Sequence, residues 1–130
     1  MYTIEKKSWG FYLTFADSIH KDEMEKWVGE SKKVLLGHSK EFGVFVDMRK
    51  LKPLDDETQK VMVLGQQLFK AAGMNRSVVI LESLALTLQF KRLARDSGIY
   101  TWERYIAASE TPHWENVGID WLTKSIDPDK

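Results

Sequence analysis

The sequence predicts an α/β protein with a mostly parallel sheet and an N-terminal hairpin, in the order β-β-α-β-α-β-α-β-α. Two short apolar runs, residues 44–46 and 78–81, are separated by a long helical pattern that closes at Gly73. Two strands joined by a helix nearly always lie parallel in one sheet, with a right-handed crossover. Strand and helix patterns alternate along the rest of the chain, as is typical of α/β sheets.

The composition is that of a single soluble domain. A chain of 130 residues, 43% of them hydrophobic, is long enough to form a core without disulfides or metals. The 19 basic and 19 acidic residues balance, so net charge gives no reason to expect a nucleic-acid partner. We expect one domain over residues 1–126, followed by a polar tail, residues 127–130.

Cysteine usage and hydropathy bear on the location of the protein. The chain has no cysteine, which excludes disulfides and thiolate zinc sites and fits a reducing, cytoplasmic location. The N-terminus has no signal-peptide pattern, and no apolar run approaches the ~20 residues that span a bilayer. We therefore expect a cytoplasmic protein without stable membrane insertion.

The first elements are a hairpin and a helix. Residues 2–5 and 9–15 alternate as strands do and flank a polar turn. In the second strand the alternation places Trp9, Phe11, Leu13 and Phe15 on one face. Residues 21–36 then show apolar side chains at helical spacing, and Gly37 is a suitable stop.

The central helix has a well-marked start. Asp55 is a good N-cap, and Asp56 and Glu57 suit the positive end of the helix dipole. Helical spacing predicts a buried stripe of Val61, Leu64, Gly65, Leu68, Phe69 and Ala72.

The C-terminal elements follow the same alternation. Ser83 is the predicted cap of a third helix that ends near Gly98 and buries Leu86, Phe90, Leu93 and Ala94. Residues 104–107 form a short strand, and Thr111-Pro112 opens a last helix. The apolar face of that helix consists of Trp114, Val117, Gly118, Trp121 and Leu122.

A candidate binding surface lies where the strands end, because ligands of open α/β sheets bind beyond the carboxyl ends of the strands. The predicted binding residues follow two strands and begin the central helix: Asp47, Arg49, Asp55, Asp56, Glu57, Thr58, Glu82 and Ser83. Structural explanations exist for several of them. Asp55 and Ser83 are accounted for by helix capping, Asp47 by bonds to loop amides, and Arg49 as a solvated cation in a loop over residues 49–53.

Sequence motifs of common enzymes are missing. The chain has no GxGxxG, GxxxxGK[ST] or GxSxG motif, and its three histidines show no ligand spacing. We therefore predict no catalytic residue, no metal site and no cofactor.

Residues 45–68, FVDMRKLKPLDDETQKVMVLGQQL, resemble the signature segment of STAS domains, the SpoIIAA-like anti-sigma-factor antagonists. The element order extends the resemblance over nearly the whole chain, and the Trp-bearing last helix is similar to a divergent bacterial branch. Asp47 matches the aspartate at the strand end, and Asp55 matches the aspartate that opens the helix. Where the antagonists carry a phosphorylatable serine, this chain has Asp56 and Glu57, and Thr58 is the nearest hydroxyl.

The resemblance implies a non-catalytic domain for protein–protein interaction or regulation, without the usual serine phosphorylation switch. An alternative is a carrier of a lipid or other small apolar ligand, because the same branch is likened to lipid-binding CRAL-TRIO domains. A receiver domain that uses Asp47 ranks last, because the acidic pair that holds Mg²⁺ is lacking. A small α/β domain with exposed aromatic residues can also form a homodimer.

Overall fold

The computed structural model describes residues 1–38 and 40–130 and confirms the predicted order of elements. The elements are β1 (Tyr2–Lys7), β2 (Gly10–Asp17), α1 (Lys21–Leu35), β3 (Phe42–Leu51), α2 (Asp56–Ala72), β4 (Met74–Leu81), α3 (Leu84–Ser97), β5 (Glu103–Ala107) and α4 (Trp114–Lys124). One 3₁₀ turn, Tyr100–Trp102, precedes β5.

The five strands lie in the sheet in their sequence order, β1-β2-β3-β4-β5. β1 is antiparallel to β2, and every later neighbour is parallel. The fold class predicted from the sequence is therefore confirmed. Because each right-handed crossover steps in the same direction along the sheet, α1, α2 and α3 lie on one face. α4 covers part of the other face.

Each face of the sheet has its own apolar cluster. The larger cluster joins the sheet to α1, α2 and α3 through side chains such as Phe15, Trp27, Val46, Phe69 and Phe90. The smaller one lies under α4 and consists of Phe45, Val78, Ile80, Ile106, Trp121 and Leu122. β3 and β4 are thus covered on both faces, which explains why their sequences read as continuous apolar runs.

The predicted helix signals at α2 and α3 are confirmed. The Asp55 carboxylate accepts a hydrogen bond from the Thr58 amide at 2.8 Å, and the Ser83 hydroxyl accepts one from the Leu86 amide at 3.2 Å. The two helices end at Gly73 and Gly98, which have φ angles of 120° and 83°. These angles favour glycine.

Two side chains lie on other faces than the sequence pattern predicts. Trp9 is in the hairpin turn rather than in β2, and it packs against the smaller cluster instead of sharing a face with Phe11. Leu64 is 59% exposed, although it was placed on the buried stripe of α2. The buried side of α2 is centred on Val61, Gly65 and Phe69, and Leu64 points away from it.

β3 is longer than predicted and includes Arg49, which the sequence placed in a loop. Where β2 advances two residues, from Thr14 to Ala16, β3 advances three, from Asp47 to Lys50. β3 therefore contains a bulge, which interrupts the alternation of side chains. For this reason the two-residue periodicity of the sequence does not reveal where the strand ends.

The start of α4 also differs from the prediction. Pro112 and His113 lie in a turn, Thr111 precedes it, and the helix begins at Trp114. His113 precedes it in a left-handed conformation, with φ of 56°, and its side chain makes no capping bond. Thr111 and Pro112 therefore precede the helix instead of opening it, and the helix start predicted there is wrong.

Candidate functional site

The structure separates the predicted binding residues into two groups. Asp47 and Arg49 point to the α4 face of the sheet, because they follow Phe45 at alternate positions of β3 and Arg49 contacts Trp114. The second group lies at the starts of α2 and α3, which cover the opposite face. Its members are Asp55, Asp56, Glu57, Thr58, Glu82 and Ser83.

Asp47 and Arg49 form a two-pronged ion pair. Arg49 Nε and Nη2 each lie 3.0 Å from a carboxylate oxygen of Asp47, and the Arg49 amide donates a third bond at 3.1 Å. The guanidinium carbon lies 4.3 Å from the centre of the Trp114 ring. The hydrogen bonds with Asp47 raise the pKa of Arg49. Three donors thus occupy Asp47, which is 8% exposed.

A second polar pair adjoins the first. The Tyr12 hydroxyl donates to Glu115 of α4 at 3.2 Å, and the Tyr12 ring stacks on Phe45 with 4.6 Å between centroids. Burial, followed by the Glu115 and Asp47 carboxylates, raises the pKa of Tyr12 well above its ordinary value. Tyr12 is therefore protonated at neutral pH. A hydroxyl whose pKa is raised this far is poorly suited to proton transfer near neutral pH.

The start of α2 presents fixed negative charge. The carboxylates of Asp56 and Glu57 are exposed, and hydrogen bonds from Thr58, with a smaller contribution from His20, lower the pKa of Asp55. Thr58, in contrast, is fully buried, with 0% exposure. In this conformation a kinase therefore has no access to the Thr58 hydroxyl. This hydroxyl is the nearest one to the position at which the anti-sigma-factor antagonists carry their serine.

The start of α3 contributes apolar surface that the sequence reading missed. Leu84 is 75% exposed and Leu88 is 59% exposed, on consecutive turns of the helix and directly after the exposed Glu82. A signal was present in the sequence, because Leu84 and Leu88 share a face but fall outside the stripe of Leu86 and Phe90 that enters the core.

Hydrogen bonds hold the starts of α2 and α3 side by side. The Gln89 side chain accepts from the Leu54 amide at 2.8 Å and donates to the Leu54 carbonyl at 2.9 Å. Gln59 of α2 donates to the same carbonyl at 2.9 Å and contacts Arg92 of α3. These bonds make the two helix starts neighbours. We call their exposed side chains together the acid–leucine surface: Asp55, Asp56, Glu57, Glu82, Leu84 and Leu88.

The interior between the sheet and the three-helix layer contains a small cavity of about 30 Å³, a volume that has room for about two water molecules. Its lining is mostly apolar and includes Gln66, Ser77 and Glu103. Glu103 is 5% exposed and accepts bonds from the Ser77 hydroxyl at 2.8 Å and the Tyr105 hydroxyl at 2.6 Å. Burial raises the pKa of Glu103 to about 7, although both hydrogen bonds oppose that effect.

Neither a metal cluster nor a membrane-spanning helix is found in residues 1–38 and 40–130. These residues include no group of three or more His, Cys, Asp or Glu side chains that could hold a metal ion. None of their helices is both long enough and apolar enough to cross a bilayer.

Comparison with known proteins identifies the fold. No family model matches the sequence, and no curated protein matches it either. Among solved structures, the chain is similar to an uncharacterised protein of the DUF3478 family, with a SpoIIAA-like fold, from Shewanella loihica PV-4. The TM-score is 0.60 at 17% sequence identity, and the match covers 94% of this chain and 92% of the other. The chain has a SpoIIAA-like fold.

The SpoIIAA-like fold bears out the resemblance seen in residues 45–68 and decides against a receiver domain. Receivers have the flavodoxin-like strand order 2-1-3-4-5, whereas this sheet runs in sequence order with an antiparallel first strand. The strand-end aspartate of a receiver accepts phosphate, but here Arg49 occupies Asp47.

Proposed function

We propose that this SpoIIAA-like domain is a non-catalytic protein-interaction module and that the acid–leucine surface is its contact site. The observation that carries the proposal is the exposure of Leu84 and Leu88 at the start of α3, which hydrogen bonds hold next to the acidic start of α2. Exposed leucines rimmed by charged residues are characteristic of protein-binding surfaces. The chemistry of the surface calls for a partner segment that carries apolar side chains flanked by lysine or arginine.

The rigidity of this surface supports the same function. The bonds from Gln89 and Gln59 to Leu54 fix the spacing between the two helix starts before any partner arrives. A surface that is already ordered loses less conformational entropy on binding. Asp56 and Glu57 carry permanent charge, and Thr58 is buried, so we infer that binding is constitutive rather than switched by phosphorylation at this position.

The proposal is tested by changing each half of the surface separately. One variant is Asp56→Lys with Glu57→Lys, and another is Leu84→Glu with Leu88→Glu. Both keep the Asp55 and Ser83 caps, so we expect folded proteins. Cross-linking in the protein's own cells, followed by mass spectrometry, identifies the neighbours of each form. We expect both variants to lose the same partner, with at least a tenfold drop in its recovery.

A matched control is available at the start of α1. Asp22→Lys with Glu25→Lys makes the same change of charge near a helix N-terminus, on exposed residues outside the acid–leucine surface. This control should retain the partner. Recovery of every neighbour by both test variants, with circular dichroism showing intact folds, refutes the proposal. If the lost partner is a second copy of the chain, light scattering will show a halved mass.

The cavity volume favours this function over the alternative of a lipid or small-ligand carrier. Ligand pockets usually measure about 300–1,000 Å³, whereas the cavity beneath the three-helix layer holds about 30 Å³. A carrier function would require α1 and α2 to move apart. Trp27 of α1 stacks on Phe69 of α2, with 5.7 Å between the ring centroids, and this contact would be lost.

A further inference from the structure

A second surface feature lies at the free edge of β5, away from the start of α2. An open hollow of about 380 Å³ runs beside this edge strand. Its lining combines cations and aromatic rings from α3, the 3₁₀ turn and β5: Lys91, Tyr100, Thr101, Glu103, Arg104, Tyr105 and Asp129. An edge strand with an open hollow is a position at which peptides commonly bind.

Arg104 is held in place within this hollow. Its Nη1 donates to the Thr101 carbonyl at 3.0 Å and to the Glu103 carbonyl at 3.1 Å. The guanidinium carbon lies 4.4 Å from the centre of the Trp121 ring, and the side chain is 17% exposed. The Nη1 bonds leave the Nε and Nη2 edge free for another acceptor. This edge matches the two oxygens of a carboxylate.

The chain itself supplies a carboxylate to that edge. Asp127 accepts from Arg104 Nε at 2.9 Å and from Nη2 at 3.1 Å, and Asp129 lies 3.6 Å from Nε. A tight turn aligns both acids, because the Asp129 amide donates to the Asp127 carboxylate and the Lys130 amide donates to the Asp127 carbonyl. Arg104 lowers the pKa of Asp127 to about 2, which keeps it charged at neutral pH.

The surroundings of the hollow extend the preference for acids. The Lys91 ammonium lies 5.5 Å from the centre of the Tyr105 ring, and the Arg95 guanidinium lies 4.3 Å from that of Tyr100. In the part of the hollow that the structure describes, the acids are Asp129 and the buried Glu103. Without residues 127–130, the exposed charge of this surface is therefore positive.

We propose that the hollow beside β5 binds an acidic segment of a protein partner and that residues 127–130 cover its Arg104 side when this partner is absent. The attachment of the tail to α4 gives its carboxylates an effective concentration in the millimolar range. A partner must displace them, so the tail sets a threshold for binding. Asp129, whose side chain is 66% exposed, is the group that leaves most easily.

The test uses an acetylated synthetic peptide with the sequence Ser-Ile-Asp-Pro-Asp-Lys, which is that of residues 125–130. It is added to the wild-type chain and to a variant with Asp127→Asn and Asp129→Asn, which keeps the size of both side chains. Nuclear magnetic resonance follows the Arg104 Nε–H and Trp121 indole signals. We expect saturable shifts in the variant and at least tenfold weaker binding to the wild-type chain.

Three controls make the outcome decisive. A peptide with Asn at both Asp positions should not bind. Arg104→Lys in the Asn variant should abolish binding of the original peptide, because lysine cannot form a bidentate pair with a carboxylate. Acetate at the same concentration should not reproduce the shifts. Equal binding to both proteins, equal binding of the Asn peptide, or the same shifts with acetate overturns the proposal. Neither Arg104 nor the tail belongs to the acid–leucine surface, so this result is independent of the proposed function.

Discussion

The buried carboxyl of Glu103 predicts an unusual dependence of stability on pH. Glu103 lies between Ser77 and Tyr105, whose hydroxyls donate to its two oxygens, and it is 5% exposed. Burial raises its pKa from the ordinary value of 4.5 to about 7 in the folded protein. The perturbation that isolates this group is Glu103→Gln, because an amide has nearly the same shape and does not ionise.

The sign of the effect follows from proton binding. Between pH 4.5 and pH 7 the folded protein keeps a proton on Glu103 that the unfolded chain has released. The free energy of unfolding therefore falls as the pH rises through this interval and levels off above it. At ~1.4 kcal/mol for each tenfold change in proton affinity, the total loss is about 3 kcal/mol, and most of it falls between pH 5 and pH 8.

Urea denaturation of both proteins at pH 5 and pH 8 measures this loss. The other titrating groups contribute equally to both proteins, so they cancel in the difference between the two free energies of unfolding. We expect wild type to lose about 2–3 kcal/mol relative to Glu103→Gln over this range. If the difference between the two free energies of unfolding changes by less than about 0.5 kcal/mol from pH 5 to pH 8, the raised pKa of Glu103 is refuted. A change that small lies within the usual error of such extrapolations.

A second variant, Tyr105→Phe, checks the physical cause. It removes the donor of the 2.6 Å bond that stabilises the charged carboxylate. The pKa of Glu103 should then rise further, so the loss of stability should continue above pH 7 and become larger than in wild type. An unchanged pH profile would show that the Tyr105 bond does not bear on the ionisation of Glu103.

Two further predictions concern the helices. A methyl group at Gly65 would overlap the Trp27 ring, so Gly65→Ala should lower the free energy of unfolding by about 1–3 kcal/mol. The control is Gly29→Ala, whose methyl group meets nothing within 4 Å; it should raise the free energy of unfolding by about 0.5–1 kcal/mol. Ser83→Ala removes the side-chain bond to the Leu86 amide and should cost about 1 kcal/mol, with Ser83→Thr as the conservative control. Thermal denaturation measures both; a neutral Gly65→Ala or Ser83→Ala contradicts the assigned contact.

The fold was predictable because local signals and the global arrangement agree. The N-cap at Asp55 and the glycine stops at Gly73 and Gly98 mark helix ends through backbone chemistry that the sequence carries locally. The bulge in β3 was not predictable, since it depends on pairing with β2 across a long sequence separation. The left-handed conformation of His113 likewise depends on how α4 is placed on the sheet.

The candidate site was less predictable than the fold. Sequence identified chemically suitable residues at the strand ends but could not assign them to a face of the sheet. Arg49 illustrates the reason, because it was read as a loop cation and instead completes a pair with Asp47 beneath Trp114, a residue far along the chain. Leu84 lies outside the core-facing stripe of α3, but this signal is weak on its own, since apolar residues are usually buried.

The strand order has a consequence for folding. Every strand pairs with its neighbour in sequence, so each unit can join the growing sheet after closing one loop of moderate length. α4 follows the whole sheet in sequence, and until it docks, Phe45, Val78, Ile80 and Ile106 remain open to water. Apolar surface exposed during folding promotes aggregation. The docking of α4 therefore protects newly made chains from aggregation, and changes in this helix should reduce soluble yield more than they reduce the secondary structure of the sheet.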